Sequence, residues 1–222
     1  MVIGVSGIYD KRYSQMITPL FLIAALLQTT GLFVFLVEYS EGGDPAVGGM
    51  LVFGLMLVQI CALFAKFKRT VLLFLALFFA TALAATFGDW LDITEEFSAL
   101  VISVAGLSAS FFIARTPYHA FVPFTYFVYA ITFGFAIFEI LEDYPPFDFA
   151  LIGVSVGLLY VSVVAKSRSL LVASILILLG SLGYFTAEYF ADFLSWPIAL
   201  IVMGFIMLGV SGYAFKLGQS IR

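Results

Sequence analysis

The sequence predicts an all-α integral membrane protein of eight transmembrane helices, arranged as four helical hairpins with both termini on the cytoplasmic side. Three observations carry that reading. Of 222 residues, 63% are hydrophobic and 11% charged, against about 25% charged in an ordinary soluble domain. The apolar residues gather into runs of about 20 positions, the length at which a helix rising 1.5 Å per residue crosses a ~30 Å hydrocarbon layer. Every Lys and Arg lies in the N-terminal tail, in alternate loops or at the C-terminal end, and every acidic residue but Asp10 lies in the other loops.

In chain order the apolar windows run from Met16 to Val37, Ala46 to Ala65, Thr70 to Gly88, Phe97 to Ala114, Ala120 to Leu141, Phe149 to Ala165, Leu170 to Ala187 and Leu194 to Phe215. They are apolar on every face and about twice the length of the ~10-residue alternating strands of a membrane barrel, which makes them helices. The first window follows Lys11 and Arg12 but is too long for a signal-peptide core and has no small-residue cleavage pattern, so it is retained as a span. All connections are short, and the expectation is a single polytopic domain over 1–222 with no soluble domain.

Basic residues mark the cytoplasmic side. They occupy positions 11, 12, 66, 68, 69, 115, 166, 168, 216 and 222. The opposite loops carry Glu38, Glu41 and Asp44; Asp89, Asp92, Glu95 and Glu96; Glu139, Glu142, Asp143 and Asp148; and Glu188 with Asp192. The location this implies is a cell membrane of the bacterial inner-membrane kind, and the partner it implies first is the lipid bilayer itself. A membrane-protein partner or a homo-oligomer is compatible with the pattern, and no nucleic acid is expected.

The charges also repeat. The first acid of each corner is followed by the next basic residue after 26 to 28 positions: Glu38 to Lys66, Asp89 to Arg115, Glu139 to Lys166 and Glu188 to Lys216. Lys66-Phe67-Lys68 recurs as Lys166-Ser167-Arg168, Glu38 and Glu41 recur as Glu139 and Glu142, and Pro19 recurs as Pro123, with offsets of 100, 101 and 104. The pattern predicts two four-helix halves, about 12–115 and 116–222. A unit with an even number of spans re-enters in the same orientation, so the repeats would be parallel.

Four acids that each end an odd-numbered helix, Glu38, Asp89, Glu139 and Glu188, form one candidate site. Converging about an axis, they would attract or bind a cation, as charged rings do at channel mouths. Gln28 and Gln59 form a second, because an amide at that depth is expensive to leave unpaired and could line a polar path. Ser103, Ser108, Ser110, Thr125, Tyr126, Tyr129, Ser155, Tyr160, Ser174 and Ser181 are further polar groups at depth. Gly153-x-x-x-Gly157 and Gly106-x-x-x-Ser110, with Gly49, Gly54, Gly204 and Gly209, predict close packing by the even-numbered helices. The Phe-rich odd-numbered helices are then expected to face outward. Pro123 and Pro197 fall a few residues inside their windows, where a slight kink is expected.

Other chemistries find no support. The lone Cys61 has no partner for an intrachain disulfide, and the single His119 cannot assemble a metal site. No nucleophile elbow, zinc-protease helix or phosphate-cradling glycine loop is present. The expectation is a protein that is not an enzyme and uses no cofactor and no metal. Two functional readings stay open: a small-solute or cation permease or channel-like protein with an acidic extracytoplasmic face, and a non-transporting scaffold or accessory subunit that binds another membrane protein or lipid.

Overall fold

The computed structural model describes residues 17–39, 45–142 and 150–186, together with helical positions Ile201, Gly204, Phe205, Leu208, Gly209, Gly212, Tyr213 and Lys216. Seven α-helices are present among the described residues: α1 (Ile17–Tyr39), α2 (Pro45–Phe67), α3 (Thr70–Trp90), α4 (Glu95–Ile113), α5 (Val122–Glu142), α6 (Ala150–Val164) and α7 (Arg168–Phe185). A single 3-10 turn, His119–Phe121, leads into α5. Five segments are long and apolar enough to cross a membrane: Ala46–Phe67, Thr70–Trp90, Glu95–Ile113, His119–Glu142 and Arg168–Phe185. The apolar stretches Leu20–Phe35 and Ala150–Val164 are shorter.

The first seven windows thus fall on the seven helices. The eighth, 194–215, lies largely outside the described residues, as do Glu188, Asp192 and Pro197. Molecules with several apolar helices of this length are suited to a multi-pass membrane protein, because a helix satisfies all its backbone hydrogen bonds within the segment.

The chain forms two compact units, one holding α1 to α3 with the 116–121 turn, the other holding α4 from Ala99 together with α5, α6 and α7. In the first unit Phe21 and Ala25 of α1 pack with Val52, Met56 and Ile60 of α2 and with Leu72, Leu75, Ala76 and Phe79 of α3. The steps of three and four residues keep each set on one helix face. The turn is fixed by edge-on aromatic pairs, Phe64 with Tyr118 at 5.3 Å and Phe74 with Phe121 at 5.5 Å. In the second unit Val122, Tyr126 and Ala130 of α5 meet Leu170 and Ala173 of α7, and Leu159 of α6 meets Leu171 and Leu178 of α7.

Within the units the most extensive pairings are α2 with α3 and α6 with α7, across the basic turns rather than across the acidic corners that the hairpin reading emphasised. The turns explain it. Only Lys68 and Arg69 separate α2 from α3, and Ala165 to Ser167 separate α6 from α7. A link this short obliges the two helices to pack against each other. Lys68 has φ 48 and Lys166 φ 50, left-handed values that reverse the chain at a helix end. The Lys68 N–H bonds the Phe64 carbonyl at 2.8 Å. After α6 the Ser167 and Lys166 N–H groups bond the Ser162 and Val163 carbonyls, closing a Schellman turn. Ser167 then caps α7, its hydroxyl accepting from the Leu170 N–H at 3.4 Å. The left-handed residue of each turn places Lys68 against Lys166, an offset of 98 where the charge pattern reads 100.

Two further sequence expectations change on contact with the geometry. Pro123 is the second residue of α5, in the first turn where its missing N–H has no helical acceptor to lose, so it starts the helix and does not kink it. Phe21, Phe79 and Phe185 on α1, α3 and α7 are buried, so the odd-numbered helices do not simply turn their phenylalanines outward.

Candidate functional site

Gln28 and Gln59 are brought together. Each is half-buried, on α1 and α2, and Gln28 Nε2 donates to Gln59 Oε1 at 2.8 Å. The bond sits beside the apolar contacts of Ala25, Met56 and Ile60. One turn of α1 also returns its hydroxyls to its own backbone, Thr29 to the Ala25 carbonyl at 2.7 Å and Thr30 to the Leu26 carbonyl at 2.9 Å. The amide pair therefore ties α1 to α2. An interhelical hydrogen bond of this kind contributes about 0.6 kcal/mol on average in a membrane, and up to about 1.7.

In the second unit Ser103, Ser110, Thr125, Ser155, Ser162, Ser174 and Ser181 are all buried. Each hydroxyl lies within bonding distance of a carbonyl three or four residues earlier in its own helix, at 2.6 to 3.0 Å. One of them also reaches a neighbouring helix: Ser110 Oγ donates to Thr125 Oγ1 at 2.9 Å, linking α4 to α5. Ser162 escaped the sequence reading. Its signal is a spacing of seven, Ser103 to Ser110, Ser155 to Ser162 and Ser174 to Ser181, which returns a small residue to the same face of each helix and lets backbones approach.

Tyr126 is 3% exposed, and its hydroxyl has no hydrogen-bond partner among the described residues. An unpaired buried hydroxyl costs about 1 to 3 kcal/mol. Tyr126→Phe removes the group and keeps the ring, so it is expected to raise stability by about 1 kcal/mol, read as a higher unfolding temperature in detergent. A lowered unfolding temperature would show that the hydroxyl is satisfied.

Asp89 and Glu139 are exposed near the ends of α3 and α5, and Glu38 lies in the last turn of α1. Glu188 lies outside the described residues. Asp92 has φ 52. The Asp92 and Ile93 N–H groups bond the Asp89 and Gly88 carbonyls, so the Asp89-x-x-Asp92 spacing marks a Schellman helix end. Glu95 and Glu96 stand in the first turn of α4, where the helix dipole favours negative charge. His119 is exposed, its Nδ1 3.2 Å from the Thr116 carbonyl, and Cys61 is exposed on α2.

The glycines divide into two kinds. A Cβ on Gly106 would stand 2.5 Å from the Tyr129 ring, one on Gly134 would stand 2.8 Å from Ile177, and one on Gly49 would stand 3.0 Å from Thr86. Gly153 and Gly157, expected to make close contacts, are exposed and have nothing within 4 Å of an added Cβ. Their spacing requires them to share a helix face, but not the face that packs within the unit. The same outward face carries Val156, Tyr160, Val161 and Val164, which are 52%, 72%, 47% and 58% exposed.

Comparison with protein-family models, with curated proteins and with solved structures finds no match to the chain.

Proposed function

We propose that this multi-pass protein is a non-transporting membrane module that docks a further transmembrane helix on the outward face of α6. The observation that carries the reading is that face: Gly153 and Gly157 one turn apart, flanked by Val156, Val161 and Val164, all exposed. Glycines four residues apart let a partner backbone approach closely, and lipid tails supply no competing hydrophobic drive, so close packing decides association. The valines hold one χ1 rotamer in a helix, so docking costs them little side-chain entropy. The simplest partner is α6 of a second copy, which the membrane orients alike and for which the face is self-complementary.

The interior supports the same reading. Among the residues whose exposure is described no Asp, Glu, Lys or Arg is buried, and each buried Ser and Thr hydroxyl bonds a carbonyl of its own helix. The permease reading draws on a different observation, the exposure of Asp89, Asp92, Glu95, Glu139 and Glu142 at helix ends. Such acids would concentrate cations near the surface.

One pair of assays separates them. In a Cys61→Ser background, Val161→Cys is expected to form a disulfide-linked dimer in vesicles, and Gly157→Ile to reduce that dimer about tenfold, the equivalent of ~1.4 kcal/mol. Proteoliposomes should pass no cation above the protein-free level. A monomer insensitive to Gly157→Ile, together with cation flux lost when Asp89 and Glu139 become amides, would replace this reading with the permease.

A further inference from the structure

We propose that a groove between α5, α6 and α7 holds one acyl chain of a phospholipid, in the leaflet that contains the acidic helix ends. The groove has a volume of about 330 Å³ and is walled by Gly134 and Phe138 of α5, Leu151 of α6, and Ile177, Gly180 and Tyr184 of α7. Its size falls at the small end of ligand sites, which suits a single chain and not a whole lipid.

The lining selects an apolar occupant. Of the two hydroxyl residues in the lining, Ser181 and Tyr184, Ser181 donates to the Ile177 carbonyl at 2.9 Å. Its proton is thereby committed to the helix and is not presented to a ligand. Depth selects the leaflet. The lining residues lie in the half of α5 toward Glu142 and the half of α7 toward Phe185. At that end the Tyr184 ring stacks edge-on against Phe138, with centroids 4.9 Å apart. A tyrosine near a helix end sits at headgroup level, so the groove runs inward from the interface.

What covers the groove follows from its mouth. Phe135 and Leu176 border it and are 65% and 48% exposed, so the opening is continuous with the apolar outer surface that the bilayer solvates. Acyl chains are the medium there. The two glycines have opposite parts. Gly134 lets α5 touch α7, since a Cβ would stand 2.8 Å from Ile177, whereas a Cβ on Gly180 would meet nothing within 4 Å. Gly180 keeps space open that the packing does not require.

That difference supplies the test. The intact protein is purified from vesicles of phosphatidylethanolamine and phosphatidylglycerol, and retained phospholipid is counted by native mass spectrometry as detergent is raised. The wild type is expected to hold one phospholipid after the bulk has been stripped. Gly180→Leu and Gly180→Phe should lower its occupancy by about tenfold, with helix content and unfolding temperature in detergent not reduced. Should both variants unfold, a phospholipid with a photoreactive acyl chain is applied to the wild type, and the adduct is expected on the peptides carrying Gly134 or Gly180. Unchanged occupancy in folded variants, or an adduct confined to other helices, overturns the proposal. So does disulfide trapping between Gly180→Cys and cysteines at 198–208 in a Cys61→Ser background, which would put the chain's own segment in the groove.

Discussion

Gly106→Leu is expected to destabilise the second unit by about 3 kcal/mol, the upper range for overpacking a filled interior. A Cβ alone at position 106 would lie 2.5 Å from Cδ1 and Cε1 of Tyr129. Tyr129 is 7% exposed, so its ring cannot swing aside without displacing its neighbours. The remaining atoms of a leucine would then have to separate α4 from α5 and break the Ser110 to Thr125 hydrogen bond one turn away. Gly106→Ala should cost less, and Gly153→Leu, on the open face of α6, should cost the monomer almost nothing. Equilibrium unfolding in mixed detergent micelles measures all three. Equal losses at positions 106 and 153 would mean that the two kinds of glycine are not distinguished by packing.

A second large effect is expected at the amide pair. Gln28→Leu leaves the Gln59 carbonyl oxygen without the donor that reaches it at 2.8 Å. Losing this cross-helix bond costs about 0.5 to 1.5 kcal/mol. The Gln28→Leu/Gln59→Leu double variant replaces both amides by apolar groups of similar size and should recover part of that loss. The double-mutant cycle isolates the interaction, expected between about 0.6 and 1.7 kcal/mol. Additive single effects would place the two side chains out of contact.

The seven described helices follow the apolar windows to within about three residues, because span length is set by the bilayer and is written directly in composition. Gln28 and Gln59 stood out by their cost, and the structure makes each the answer to the other's cost. Orientation was less legible. In a water-soluble helix one polar stripe names the outer face, but a lipid-facing surface is as apolar as the interior, so no stripe exists. Gly153-x-x-x-Gly157 reads identically whether it packs inside the unit or faces outward, which is why close contacts were expected where open surface is found. The seven-residue spacing of buried serines was present in the sequence, and only the burial of Ser162 with Ser155 gives it meaning. The left-handed residues Lys68, Asp92 and Lys166 carry no glycine to announce them.

The most extensive helix pairings and the charge pattern meet at the basic turns, and alternating spans require all of these turns on one side of the membrane. In a Cys61→Ser background, single cysteines replacing Lys68, Arg115 and Lys166 report one face, and cysteines replacing Asp92 and Glu142 report the other. A membrane-impermeant maleimide added to sealed, oriented vesicles is expected to label the first three from one side only and the last two from the opposite side only. Labelling of positions 68 and 166 from opposite sides would contradict the alternating spans.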